Sequence, residues 1–200
     1  GLSGTSSIAA FELNLSCPNT SAGGIEFGAD PESVRRIIAS CRSRTTRPLV
    51  AKLSPALPDI AGMALVARDA GADGVSLVNT MPGRVSHPDG HPRLGHGSGG
   101  VSGPALLAVG VLATCRVIER TGGMPVIGVG GVTCAEDARQ YLRAGAALVA
   151  IGTAGLADPS QITANHIVRR TAEHSVKLLA SLLPFVKPGE LLRGEMTQQV

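Results

Sequence analysis

"MPVIGVGG" (residues 124–131) and "ALVAIGT" (147–153) decide the fold of this 200-residue chain. Each is a short apolar run, rich in β-branched residues, that stops at glycine. Between them lies "CAEDARQYLRAGA" (134–146), whose spacing predicts one helix. Two apolar strands joined by a single helix are units of a parallel sheet. Barrel enzymes often bind phosphate with the loops after strands 7 and 8 and the start of a short extra helix. "AGLADP" after Thr153 has room for that helix. The two runs therefore read as strands 7 and 8 of a (β/α)8 TIM barrel.

The same alternation continues upstream. "AAFELNL" is a strand, and "DPESVRRIIASCRS" a helix with Asp30 as N-cap and Pro31 at its first position. Val34, Ile37, Ile38 and Cys41 recur at helical spacing. "PLVAKLS" is the next strand and "DIAGMALVARDAGA" its helix, stopped by Gly71. "GVSLVNT" follows, then a polar loop over 81–103, and Pro104 opens the helix "PALLAVGVLATCRVIERT". A last helix is expected from about Pro159 to Leu183. Counted back from strand 8, "FELNL" is strand 4. One domain over 1–200 is expected, holding strands 4–8 and their helices, where a whole barrel takes ~250 residues. Five strands cannot close a barrel, so strands 4 and 8 should carry open edges, and residues 1–200 alone should be inactive.

Composition excludes several functions. No run of 18 apolar residues exists, so membrane insertion is not expected. The net charge of +3 is scattered, and aromatic residues are too few for base-stacking platforms, so nucleic acid is not an expected partner. The basic stretch "RSRTTR" falls where a helix should end, which the helix dipole favours. Cys17, Cys41, Cys115 and Cys134 form no C-x-x-C pair or disulfide framework, and a reducing cytoplasm fits. Cys41, Cys115 and Cys134 read as helix residues. His87, His91 and His96 have no accompanying carboxylate cluster, so no metal site is expected.

Catalytic groups of a barrel sit at the C-terminal strand ends. Those ends carry Asn14, Ser16 and Cys17, then Lys52, Asn79 and Thr80, Gly130 and Gly131, and Gly152 and Thr153. Lys52 interrupts an apolar strand, as a cation facing developing negative charge would. The paired glycine ends let a phosphate approach the backbone. Cys17 alone reads more often as a small buried hydrophobe than as a base; its setting between Asn14 and Asn19 reverses that.

"LNLSCPNT", "AKLSPALPDI", "GADGVSLVNT", "GGVSGPAL", "VIGVGGV" and "AIGTA", in this order, resemble the dihydroorotate dehydrogenases over nearly the whole chain. The cysteine of "SCPN" is similar to class 1 enzymes, and "KLSP…DI" with "GGVSGPA" to class 1B. The resemblance implies an FMN enzyme of pyrimidine synthesis that oxidises dihydroorotate to orotate. Cys17 would take a proton from ring carbon 5 while hydride leaves carbon 6. Asn14, Asn19, Asn79 and Thr80 would hold the pyrimidine. Lys52 would lie near the flavin ring, with Asn14, Val78 and Gly103 bordering it. Gly130, Gly131, Gly152 and Thr153 would hold the flavin phosphate. An oligomer is implied, with a partner subunit carrying FAD and an iron–sulfur cluster. "PGRVSHPDGHPRLGHGS" departs from the class 1B pattern after the Asn-Thr pair. Dihydropyrimidine dehydrogenases share the "SCP" strand but usually place His at the position of Asn19. A non-catalytic flavin-binding fragment and a sugar-phosphate barrel are the other readings.

Overall fold

A computed structural model describes residues 8–16, 27–95, 97–157, 168–172 and 175–178. Its frame is five parallel strands: β1 (Phe11–Asn14), β2 (Leu49–Leu53), β3 (Gly74–Leu77), β6 (Val126–Val129) and β7 (Leu148–Ala150). They lie side by side in that order. The helices between them are α1 (Pro31–Arg42), α2 (Ile60–Asp69), α3 (Leu106–Thr121) and α4 (Ala135–Arg143). This is part of a (β/α)8 barrel, from its fourth strand to its eighth.

Local chemistry sets several boundaries. The Ser33 N–H donates to Asp30 Oδ2 at 2.9 Å, so Asp30 caps α1 with Pro31 behind it. Asp59 caps α2 through the Gly62 N–H at 2.8 Å. The third helix starts later than the sequence suggests. Pro104 lies in the turn before it, where the Leu106 N–H donates to the Gly103 carbonyl and the Leu107 N–H to that of Pro104. "RSRTTR" does fall at the end of α1, whose last residue is Arg42.

The two faces of the sheet differ. Leu49, Ala51, Leu53, Val75, Leu77 and Val126 point to the helices and are buried, with Val34 and Ile38 of α1 and Tyr141 of α4. The other face would line a barrel interior. Glu12 and Asn14 are exposed there and Val50 and Lys52 half-buried, although Ser76 is covered. A parallel sheet is ordinarily buried on both faces; here one face is only partly covered. Leu148, 45% exposed, belongs to this face by its register with Ile127.

Two strand pairs were not anticipated. The 81–103 loop contains a two-stranded antiparallel arm, β4 (Met81–Gly83) with β5 (Gly99–Val101). Of the expected helix over 159–183, residues 168–172 and 175–178 instead form an antiparallel hairpin, β8 (Val168–Ala172) and β9 (Ser175–Leu178). Val168, Thr171 and Val176 are β-branched and suit extended backbone. β8 pairs with β7 through Leu148 and Arg169, so the edge of strand 8 is not open as expected. Among the described residues, no strand pairs with the outer edge of β1. No helix of the described residues is long and apolar enough to cross a membrane.

Candidate active site

Because the five strands are parallel, their C-terminal ends share one rim. There a cavity of about 350 Å³ is lined by Lys52, Val78, Asn79, Thr80, Gly103, Gly130, Gly131, Gly152 and Thr153. Segments far apart in sequence thus meet around one volume, within the usual size of small-molecule sites. Ser102, Pro104, Leu106, Val129, Val132, Thr133 and Ala154 complete the lining. Cys17 and Asn19 lie outside the described residues.

Asn14 reaches the cavity through Asn79. The Asn79 Nδ2 donates to Asn14 Oδ1 at 3.2 Å and also contacts Ser16 Oγ. Ser16 Oγ donates to the same Asn14 oxygen at 3.1 Å, and the Thr80 N–H donates to Asn79 Oδ1 at 2.8 Å. The Asn14 carbonyl is thus held by protein donors, which leaves its amide nitrogen as the end to offer a ligand. Ser16 is 3% exposed and joins both carboxamides. Sequence reading placed it at the strand end but assigned it no role; its serine-next-to-cysteine position was the available signal. Thr80 packs against Gly100 of the arm, where a Cβ would collide with its side chain.

Lys52 Nζ lies 3.4 Å from Glu12 Oε1. Both side chains are partly exposed, at 24% and 42%, so the pair is a weak, screened contact. Glu12 was missed by sequence reading, although strand alternation places it on the same face as Asn14. The ammonium remains at the cavity wall and could serve an anionic ligand.

The phosphate side is built from backbone. Gly130 (φ +119°) and Gly131 (φ +74°) turn the chain after β6 in a conformation that suits glycine. The Val78 N–H donates to the Val129 carbonyl at 2.7 Å, tying this turn to the end of β3. After β7 the short helix α5 (Thr153–Ala157) begins, the extra helix expected from "AGLADP" but starting one residue earlier. Thr153 Oγ1 donates to Ser102 Oγ at 3.0 Å, which draws the arm's base to it. Beside Gly103 and Gly152 a Cβ would meet open space. Two glycine-bordered backbone segments, an ammonium and carboxamides around one cavity fit a ligand with a phosphate at one end and a polar ring system at the other.

The loop below is fixed by Asp137, whose carboxylate accepts from the Thr133 N–H at 2.9 Å, Thr133 Oγ1 at 2.7 Å and the Cys134 N–H at 3.1 Å. These bonds, the Thr133 backbone bond foremost, hold its carboxyl below the usual aspartate range. Cys41 and Cys115 are half-buried on α1 and α3, and Cys134 is exposed at the start of α4. His87 and His91 lie in the arm region, and His96 lies outside the described residues. Among the described residues, no group of three or more His, Cys, Asp or Glu is placed to hold a metal.

A family model described as "Dihydroorotate dehydrogenase" matches residues 5–173. Two curated relatives are catalytic subunits of dihydroorotate dehydrogenase B (NAD(+)). That of Pelobacter propionicus is 41% identical over 179 residues, covering 88% of this chain and 59% of the relative. That of Desulforudis audaxviator is 44% identical over 164 residues, covering 82% of this chain and 53% of the relative. The chain therefore spans little more than half the length of these relatives. The crystal structure of ligand-free DHODH from Eimeria tenella matches with a TM-score of 0.61 at 25% identity, over 74% of this chain and 46% of that one.

Proposed function

The chain belongs to the dihydroorotate dehydrogenase family, and on that premise we propose that it forms the strand 4–8 portion of an enzyme oxidising dihydroorotate to orotate in pyrimidine synthesis. The observation that carries this reading is one cavity at the strand ends. It gathers Lys52, Val78, Gly103, the Gly130–Gly131 turn, Gly152 and Thr153 from segments spread over 100 positions, with the Asn14–Asn79 pair at its border.

FMN, when bound, supplies the acceptor for the hydride that leaves ring carbon 6 of the substrate. The chain's residues do the rest. Cys17, as thiolate, takes the proton from carbon 5; a free thiol has a pKa of ~8.5, which makes its anion a competent base. Asn14, Asn19, Asn79 and Thr80 hold the pyrimidine, because carboxamides both donate to its carbonyls and accept from its ring N–H groups. Lys52 places positive charge where the reduced ring system becomes more negative. Gly130, Gly131, Gly152 and Thr153 offer backbone N–H groups, and Thr153 a hydroxyl, to the phosphate.

The names of the relatives, NAD(+)-linked catalytic subunits, support an electron-transfer partner carrying FAD and an iron–sulfur cluster. The cytoplasm and an oligomeric assembly belong to the same reading. The test is to purify the full-length protein, release its flavin by denaturation and identify it, then mix the holoprotein anaerobically with reduced pyrimidines. FMN and bleaching by dihydroorotate are expected. Bleaching by dihydrouracil instead would favour a dihydropyrimidine dehydrogenase-like activity, and a colourless protein that retains no flavin would refute the reading.

A further inference from the structure

We propose that Tyr141 is a positioning residue for the phosphate-binding turn: its phenol fixes the direction of the Gly131 N–H. The inference rests on the FMN reading above and adds to it a residue on the helical side of the sheet.

Tyr141 lies on α4 and is fully buried. Its ring occupies space that two glycines leave free. A Cβ on Gly128 would collide with the ring, and one on Gly110 with the hydroxyl. The phenol thereby passes between β6 and α3 and reaches the underside of the turn. Its hydroxyl donates to the Gly130 carbonyl at 2.8 Å and lies 3.1 Å from the Val129 carbonyl. Val129 already accepts from the Val78 N–H, so Gly130 is the acceptor with the greater need.

The consequence follows from peptide geometry. In a trans peptide unit the C=O and the next N–H point in opposite directions. Drawing the Gly130 carbonyl back toward α4 aims the Gly131 N–H the other way, toward the cavity that both glycines line. A Gly-Gly unit has no Cβ to limit its rotation, so the turn needs an outside anchor to keep one orientation. Burial raises the phenol pKa, and the hydroxyl remains a donor across the working pH range. Packing alone would be met by phenylalanine; the hydroxyl is the feature that the turn uses.

The test compares FMN with riboflavin, which lacks the phosphate, on apo full-length protein by quenching of flavin fluorescence. Tyr141→Phe should weaken FMN binding about tenfold, a loss in the range of one hydrogen bond to a binding group, while riboflavin binding stays within about twofold of wild type. The melting temperature of the apo variant reports its folding, and Tyr141→Met asks the same question with a flexible side chain of no hydroxyl. Equal losses for both flavins, or none for either, would overturn the proposal, as would failure of both variants to fold, which assigns the phenol to packing. The FMN reading fails separately, in the wild type: no preference for FMN over riboflavin there would remove the phosphate site itself.

Discussion

The side-chain amide of Asn79 lies 3.2 Å from the carbonyl oxygen of Asn14, across 65 positions of sequence and past the end of the intervening strand β2. Ser16 bridges the two. The pair is therefore oriented before any ligand arrives, and the ordering entropy is met in folding rather than in binding. Ser16→Ala removes only the bridge. Orotate affinity should fall by roughly tenfold, the equivalent of about 1.4 kcal/mol for one buried hydrogen-bonded partner, with FMN content unchanged. Titration of the flavin absorbance with orotate measures it, and an unaltered affinity would free Ser16 from this role.

Asp137 makes a pH prediction. Its carboxyl titrates lower in the folded protein than in the unfolded chain, because the Thr133 N–H, the Thr133 hydroxyl and the Cys134 N–H favour the anion. Its stabilisation is thus complete above the ordinary aspartate pKa of ~3.9 and is lost as pH falls through the lowered folded value. Asp137→Asn should melt at a lower temperature than wild type at pH 7, and the gap should narrow toward pH 3. A gap that stays constant with pH would show that the ionised form is not what holds the Thr133 loop.

Lys52 and Glu12 predict opposite effects on the flavin. Lys52→Ala removes a cation from the cavity wall and should lower the reduction potential by on the order of 30 mV or more, the two-electron equivalent of about 1.4 kcal/mol. Glu12→Gln removes the carboxylate 3.4 Å from that ammonium and should raise the potential by a smaller amount. Spectroelectrochemical titration decides; two unchanged potentials would place the pair away from the ring.

Residues 1–200 expressed alone should associate and lack activity. The outer edge of β1 has no partner strand among the described residues, and the inner face leaves Leu148 45% exposed. Open edges and apolar faces promote self-association. Light scattering and dye reduction by dihydroorotate test this, and an active monodisperse monomer would contradict it.

The frame of the fold was legible because each of its signals is local. Short apolar runs alternating with helical spacing marked the strands, glycine ends marked β6 and β7, and Asp30 with Pro31 marked a helix start. The cavity was legible because parallel strands bring their ends to one rim whatever lies between. What escaped depends on partners distant in sequence. Glu12 meets Lys52 only once β1 and β2 are in register. The arm forms because Met81–Gly83 finds Gly99–Val101 across a polar loop with no alternating pattern of its own. The hairpin over Val168–Ala172 and Ser175–Leu178 replaces an expected helix, since an edge of β7 is there to pair with. Tyr141 carried no assigned role within the helix expected over 134–146; its contact with the Gly130 carbonyl needs the two glycines across from it.

The central claim is that this strand-end site oxidises dihydroorotate with Cys17 as base. It is tested most directly by anaerobic rapid mixing of dihydroorotate with the full-length holoprotein and its Cys17→Ala variant, following flavin bleaching. The wild type should bleach in a single turnover. The variant should keep its FMN and bleach ~10²–10⁴-fold more slowly, the usual contribution of a general base. A Cys17→Ala protein that bleaches at the wild-type rate would contradict the account.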